Sequence, residues 1–166
     1  MEKLNQVLNK QQEQVKGSIG IENKEEEIRQ LVGFMIEEEE YAIPILSIQE
    51  IIKPIEYTRV PGVPDYVLGV FNMRGNVIPL IDLAKRFGLG SSKQTANTRY
   101  IVLKGEEGNI GFVIDKLTEA IKIEESKIDA PPETLLKEKG MIDGIGKQDN
   151  NILTILKVEA LMKRDF

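Results

Sequence analysis

The sequence predicts an all-β fold made of two small barrels in tandem. Three observations carry this: short apolar runs separated by turn signals about every 8 to 12 residues, one hairpin that is apolar on both faces, and an internal repeat. The hairpin is Tyr66–Leu83, in which Val67–Met73 and Val77–Ile81 flank the turn signal Arg74-Gly75-Asn76. Strand alternation puts Val67, Phe71 and Met73 on one face and Leu68 and Val70 on the other. On the return strand Val77 and Ile81 oppose Ile78 and Leu80. Both faces therefore need cover, one from the core and one from a second unit or a partner.

The elements follow in order. Met1 to about Ile28 is rich in Gln, Asn, Lys and Glu, with Leu4, Leu8 and Val15 as a thin helical stripe broken by Gly17 and Gly20. It reads as a disordered tail or as a short docking helix. Leu31–Ile36 is a strand, Glu37–Glu40 a charged turn and Tyr41–Ile45 a second strand. Ser47–Lys53 fits either a helix or a strand by period, and Pro54 ends it. Val60–Pro64 is a rigid loop before the hairpin. Asp82 caps a short helix through Phe87, which Gly88 stops. Gly90–Thr98 is a polar connector.

The second half repeats the first. Tyr41–Lys53 lies over Ile110–Lys122 with an offset of 69 residues, keeping the apolar positions and pairing Glu50 with Glu119. Leu31–Ile36 answers to Tyr100–Leu103. After an insertion around Glu133–Lys139, Val77–Leu83 lies over Ile152–Val158 with an offset of 75. The order of all parts is kept, so the repeat is read as a duplication. The expected units are a tail over 1–28, a first barrel over 29–92, and a second barrel with a C-terminal helix over 93–166. Whether the first strand crosses between the units stays open. A unit of about 65 residues has little core of its own and gains by packing on its twin.

Composition narrows the function. The 166 residues are 41% hydrophobic and 30% charged, with a formal net charge of −5. No basic stripe is present to meet a phosphate backbone, which argues against nucleic acid. The apolar runs fall short of a membrane helix and no secretory segment opens the chain. Cysteine and histidine are both absent, which removes disulfides, thiolate metal sites and the usual base and nucleophile pairs. Phosphate-cradling, nucleophile-elbow and dinucleotide motifs are missing too. Glu37–Glu40 as a metal site, and Asp115 with Glu119 as an acid–base pair, are better read as solvated surface. No cofactor is expected, and the chain reads as a soluble cytoplasmic protein without catalysis.

The Arg74 turn stands out because the copies diverge there: the second carries Lys147-Gln-Asp-Asn-Asn151. Either Arg74 is a solvated turn residue, or its guanidinium meets carboxylates or carbonyls of a partner helix. Pro79 suggests an edge strand, which needs pairing or cover. Ile48 and Glu50 are either a core residue with a solvated neighbour, or a mixed apolar and acidic patch beside the hairpin, suited to a helix in a groove.

These residues resemble the CheW family, the coupling proteins of bacterial chemotaxis. The marks are Ile48-Gln-Glu-Ile51, then Gly69-Val-Phe-Asn-Met-Arg-Gly75 with Ile78-Pro-Leu-Ile-Asp-Leu83. The family usually has Leu where Met73 stands. The likeness runs from about Gln30 to Met162. It implies two five-stranded, SH3-like barrels with a few short helices and no catalysis. It implies a scaffold that binds the regulatory domain of the histidine kinase CheA and the helical tip of methyl-accepting chemoreceptors. Such a protein is monomeric in isolation and recruited to receptor arrays at the inner face of the membrane. The receptor contact then falls on Ile48, Glu50, Val70, Asn72, Arg74, Gly75 and Ile78; the kinase contact is not mapped. The adaptor half of a CheV-like protein and an SH3-like peptide-binding module with another partner are the alternatives.

Overall fold

The computed structural model describes residues 27–132 and 140–166. The tail expected over Met1–Ile28, save its last two residues, and the insertion at Glu133–Lys139 lie outside the described residues. Eleven strands are described. They are β1 (Ile28–Ile36), β2 (Glu39–Pro44), β3 (Ile48–Ile52), β4 (Val67–Met73), β5 (Asn76–Asp82), β6 (Arg99–Leu103), β7 (Ile110–Ile114), β8 (Lys116–Glu124), β9 (Ile128–Asp129), β10 (Ile142–Gln148) and β11 (Asn151–Leu156). Ser47–Lys53, ambiguous by period, is a strand after a single 3-10 turn at Ile45–Ser47.

The strands form two sheets, ordered β8-β1-β2-β11-β10-β9 and β3-β6-β7-β5-β4. Each sheet therefore draws on both halves of the chain, and neither follows the contiguous division at 92/93. Two strands of each half change sides, not the first strand alone. The hairpins β1–β2 and β6–β7 lie reciprocally in the sheet built from the rest of the other half. The chain changes sheets at two short links: only Ile45–Ser47 separates β2 from β3, and only Asp115 separates β7 from β8. Length alone does not force the step, since the two-residue links β1–β2, β4–β5 and β10–β11 turn back into their own sheets. Alternation in sequence fixes which face of a strand is buried, not which strand lies beside it.

The repeat holds in three dimensions. The parallel pair Ala42–Ile155 in one sheet matches Gly111–Leu80 in the other. The antiparallel pair Leu31–Ile121 likewise matches Tyr100–Ile52. Even the closing contacts correspond: Asp129 pairs with Ile145, and the bridge Thr58–Val70 takes the same place.

Three apolar clusters follow. Leu31, Ile121, Ile123, Leu153 and Ile155 fill one barrel. Phe71, Ile78, Leu80, Tyr100, Val102 and Val113 fill the other. The largest cluster lies between the sheets and takes residues from both, among them Phe34, Tyr41, Ile81, Phe112, Ile114 and Leu156. The two apolar faces of the hairpin are thereby explained: Ile78 and Leu80 face their own barrel and Ile81 faces the seam. A bulge between Val67 and Gly69 alters the expected alternation on β4. Val67 joins the seam, whereas Phe71 enters the barrel. Pro79 is not on an edge strand, because β5 lies between β7 and β4. The parallel ladder to β7 begins one residue later, at Leu80, so the missing N–H interrupts no bond on that side.

Asp82 ends β5 and starts the one-turn helix Leu83–Arg86 as expected. It is buried, and its Oδ1 accepts from the N–H groups of Ala84 and Lys85 at 3.0 and 3.4 Å. The same carboxylate accepts from Ser92 N–H at 3.0 Å and Ser92 Oγ at 2.7 Å, so it also clasps the connector. Gly88, at φ 74°, turns the chain out of the helix. On the other barrel Arg29 bonds Glu125 through Nε and Nη2 at 2.6 and 2.7 Å, and Asp143 through Nη1 at 2.6 Å.

Replacing Asp82 by Ala removes cap and clasp together. It should lower unfolding stability by about 1–2 kcal/mol, at the upper end of a lost cap, as read by urea denaturation. Gly69→Ala would set a Cβ against the Thr58 carbonyl oxygen. It should destabilise by about 1–3 kcal/mol, as overpacking does, with the barrel closure opening first in hydrogen exchange.

Candidate functional site

The β4–β5 turn is a two-residue connection closed by the pair Met73–Asn76. Arg74 and Gly75 both have positive φ, 53° and 85°, as a primed hairpin turn requires. Gly75 adopts this freely, but an arginine there costs about 1 kcal/mol. Two local bonds offset it. Asn72 Oδ1 accepts from Gly75 N–H at 3.1 Å. The Arg74 guanidinium reaches across the barrel opening to Glu50 on β3, with Nε–Oε2 at 3.2 Å and Nη2–Oε1 at 2.7 Å. This fork fixes the cation while leaving its side chain 74% exposed, against 28% for Glu50. Arg74 is thus not merely solvated.

The same fork sets the protonation of both groups. Hydrogen bonding to Arg74, then its charge, holds the Glu50 carboxyl below the usual carboxylate range. Glu50 in turn raises Arg74. Because the folded-state pKa of Glu50 lies below the unfolded one, the pair's contribution is whole above the ordinary carboxylate pKa. It is lost as pH falls through the lowered value.

The neighbouring strand joins in. Val70 is half-buried and exchanges two 2.8 Å backbone bonds with Thr58, tying the outer side of β4 to the segment after β3. Ile48 is half-buried against the seam. Six of the seven residues expected to form the contact therefore sit on accessible or half-buried positions of β3, β4 and their turn. Ile78 is the correction. It is 2% exposed inside the barrel and is a core residue, because the pleat that exposes Val77 turns Ile78 inward.

Sequence reading passed over two further features. Val77, paired with Asn72 beside the turn, is 68% exposed; its apolar character had suggested burial. Leu46 is 85% exposed in the 3-10 turn that carries the chain over the seam to Ile48. The only signal for it was an apolar run, Ile45-Leu46, too close to the next strand for both residues to turn inward. Among the described residues no Asp or Glu group converges as a metal-binding cluster, and no helix is long and apolar enough to cross a membrane.

A duplicated pair of SH3-like barrels with exchanged hairpins, carrying a cationic turn beside half-buried apolar positions, has the features of a protein-docking module. Residues 30–166 match the family model described as CheW-like domain. The chain is 52% identical over 163 residues to the chemotaxis protein CheW of Helicobacter pylori, covering 98% of both. It is 36% identical over 136 residues to that of Bacillus subtilis, covering 81% of this chain and 87% of the relative. The crystal structure of the scaffolding protein TtCheW from Thermoanaerobacter tengcongensis superposes with a TM-score of 0.77 at 30% identity, covering 87% of this chain and 94% of that one. The chain belongs to the CheW family and is an adaptor of bacterial chemotaxis signalling. The CheV-like alternative is not favoured: CheV3 of Helicobacter pylori matches over 76 residues only, 45% of this chain.

In Arg74→Gln the carboxyl of Glu50 should titrate higher, back in the ordinary carboxylate range. NMR titration of its side-chain carbon reads this directly; an unchanged value would mean that the fork does not hold the carboxylate in solution.

Proposed function

We propose that this adaptor couples the cytoplasmic tips of methyl-accepting chemoreceptors to the regulatory domain of the kinase CheA, with no catalytic step of its own. In this reading it works in the cytoplasm as a monomer until partners recruit it to arrays at the inner face of the membrane. The receptor tip, a helical hairpin, lies against Ile48, Val70 and Asn72, with Arg74 and Gly75 at the turn and Glu50 on the rim. The observation that supports this most is the fork between Arg74 and Glu50. It holds an exposed guanidinium in one place, beside half-buried aliphatic side chains, where helix carboxylates or C-terminal carbonyls can meet it. Ile78 supports the surface from beneath and makes no contact.

Arg74→Glu should weaken binding of a soluble receptor-tip fragment by about tenfold or more and leave the melting temperature nearly unchanged. Titration of the labelled chain with the kinase domain and the receptor tip, singly and together, should give two distinct and compatible footprints. Receptor binding that survives the charge reversal, or a single footprint for which the two partners compete, would overturn the assignment.

A further inference from the structure

The barrel that does not carry Arg74 has a cavity of about 710 Å³ between the β1–β2 turn and the β10–β11 turn. Glu38 and Glu39 line it from one turn, Asn150 and Ile152 from the other, and Met35 and Thr154 from the strands between. Thr154 is the informative residue. It is 7% exposed, and its hydroxyl has no hydrogen-bond partner among the described residues. Its neighbours Leu153 and Ile155 point into the barrel core, so alternation turns Thr154 and Ile152 the other way, to the cavity. A buried hydroxyl without a partner is rare in folded proteins and marks a place where something polar binds.

The lining defines the chemistry of that group. Glu39 Oε2 already accepts from the Tyr41 hydroxyl at 2.9 Å, and Glu38 has no partner among the described residues. Lined by carboxylates and by no cation, the cavity selects a positive charge. A metal ion does not fit, since the carboxylates do not converge on one point and the space is many times its size. Met35 and Ile152 add apolar surface, which suits a cation on an aliphatic stem. At the turn related by the repeat to Glu37–Glu40, an arginine of the chain itself lies close by, with Arg164 Nη2 3.5 Å from the Asn109 carbonyl oxygen.

We propose that this cavity receives an arginine side chain presented by a protein partner. The guanidinium lies between the carboxylates of Glu38 and Glu39 and donates one N–H to Thr154 Oγ1, and its stem rests on Met35. A protein is favoured over a free amine because Ile152 stands 66% exposed at the rim, an apolar seat for residues flanking the arginine. The surface is separate from the receptor site and does not depend on that assignment.

The test is an NMR titration of the full labelled chain with the blocked tripeptide acetyl-Leu-Arg-Leu-amide. Its citrulline counterpart (the same shape without the charge) and spermidine serve as the other arms. The arginine peptide should give saturable shifts at Glu38, Ile152 and Thr154, and the citrulline peptide should bind about tenfold more weakly or worse. Glu38→Gln and Thr154→Val, which keep shape, should each weaken the arginine peptide several-fold with the melting temperature unchanged. Equal binding of the citrulline peptide, shifts spread evenly over the acidic surface, or indifference to Thr154→Val would each overturn the proposal. Saturation by spermidine but not by the peptide would overturn the protein partner.

Discussion

Each half of this chain starts with a hairpin that has an unfilled edge on both sides, and the seam exists because those edges are filled by the other half. A two-stranded hairpin is marginal in water. Here β1–β2 lies between β8 and β11, and β6–β7 between β3 and β5, so each gains two ladders that its own half does not supply. The exchange brings Phe34, Tyr41, Phe112 and Ile114 from the two migrating hairpins into one cluster. Each large apolar side chain buried there is worth about 1.5–3 kcal/mol, and each is lost to both barrels if the seam opens. Tyr41 stacks between Phe34 and Phe87 at 6.1 and 5.5 Å. Burial first, and Glu39 second, keep its phenol protonated far above the usual range, so the seam holds no titrating charge at that point.

The Arg74 surface inherits its rigidity from this frame. Glu50 sits on a strand held by β6, a strand from the other half, and Val70 is fixed by the Thr58 bridge. The ion pair thus spans two elements whose separation is set elsewhere, and the left-handed turn that aims the guanidinium is held from both ends. The second copy also has a positive φ at the matching residue, Asp149, 54°, but the charge is reversed. One scaffold therefore presents a cation on one barrel and an anion on the other.

Much of this was legible in sequence. The strand at Tyr41, the Arg74 hairpin, the Asp82 cap and the Gly88 stop are local matters of period, turn chemistry and capping, and those signals lie within a few residues of what they specify. The repeat was legible because both copies keep one apolar pattern. What escaped was long-range. The exchange of hairpins is a choice of neighbour between chemically similar edges, which no side-chain pattern encodes. Ile78 was misplaced because both faces of β5 are apolar, so sequence could not say which face met the barrel. Leu46 and Val77 look like core residues by type, and only the fold reveals their exposure. The family marks at Gly69–Gly75 compensated for part of this.

The exchange also bears on how the chain is made. The barrel that carries Arg74 needs nothing beyond β7, so it is complete in sequence at Ile114. The barrel that holds the N-terminal hairpin cannot close until β11, which ends at Leu156. At ribosomal rates of roughly 5–20 residues per second, β1 and β2 leave the exit tunnel first and wait several seconds for their partners. During that interval a bare two-stranded edge, rich in Val, Phe, Met and Ile, is presented to the cell, while the later-encoded part of the structure is already forming.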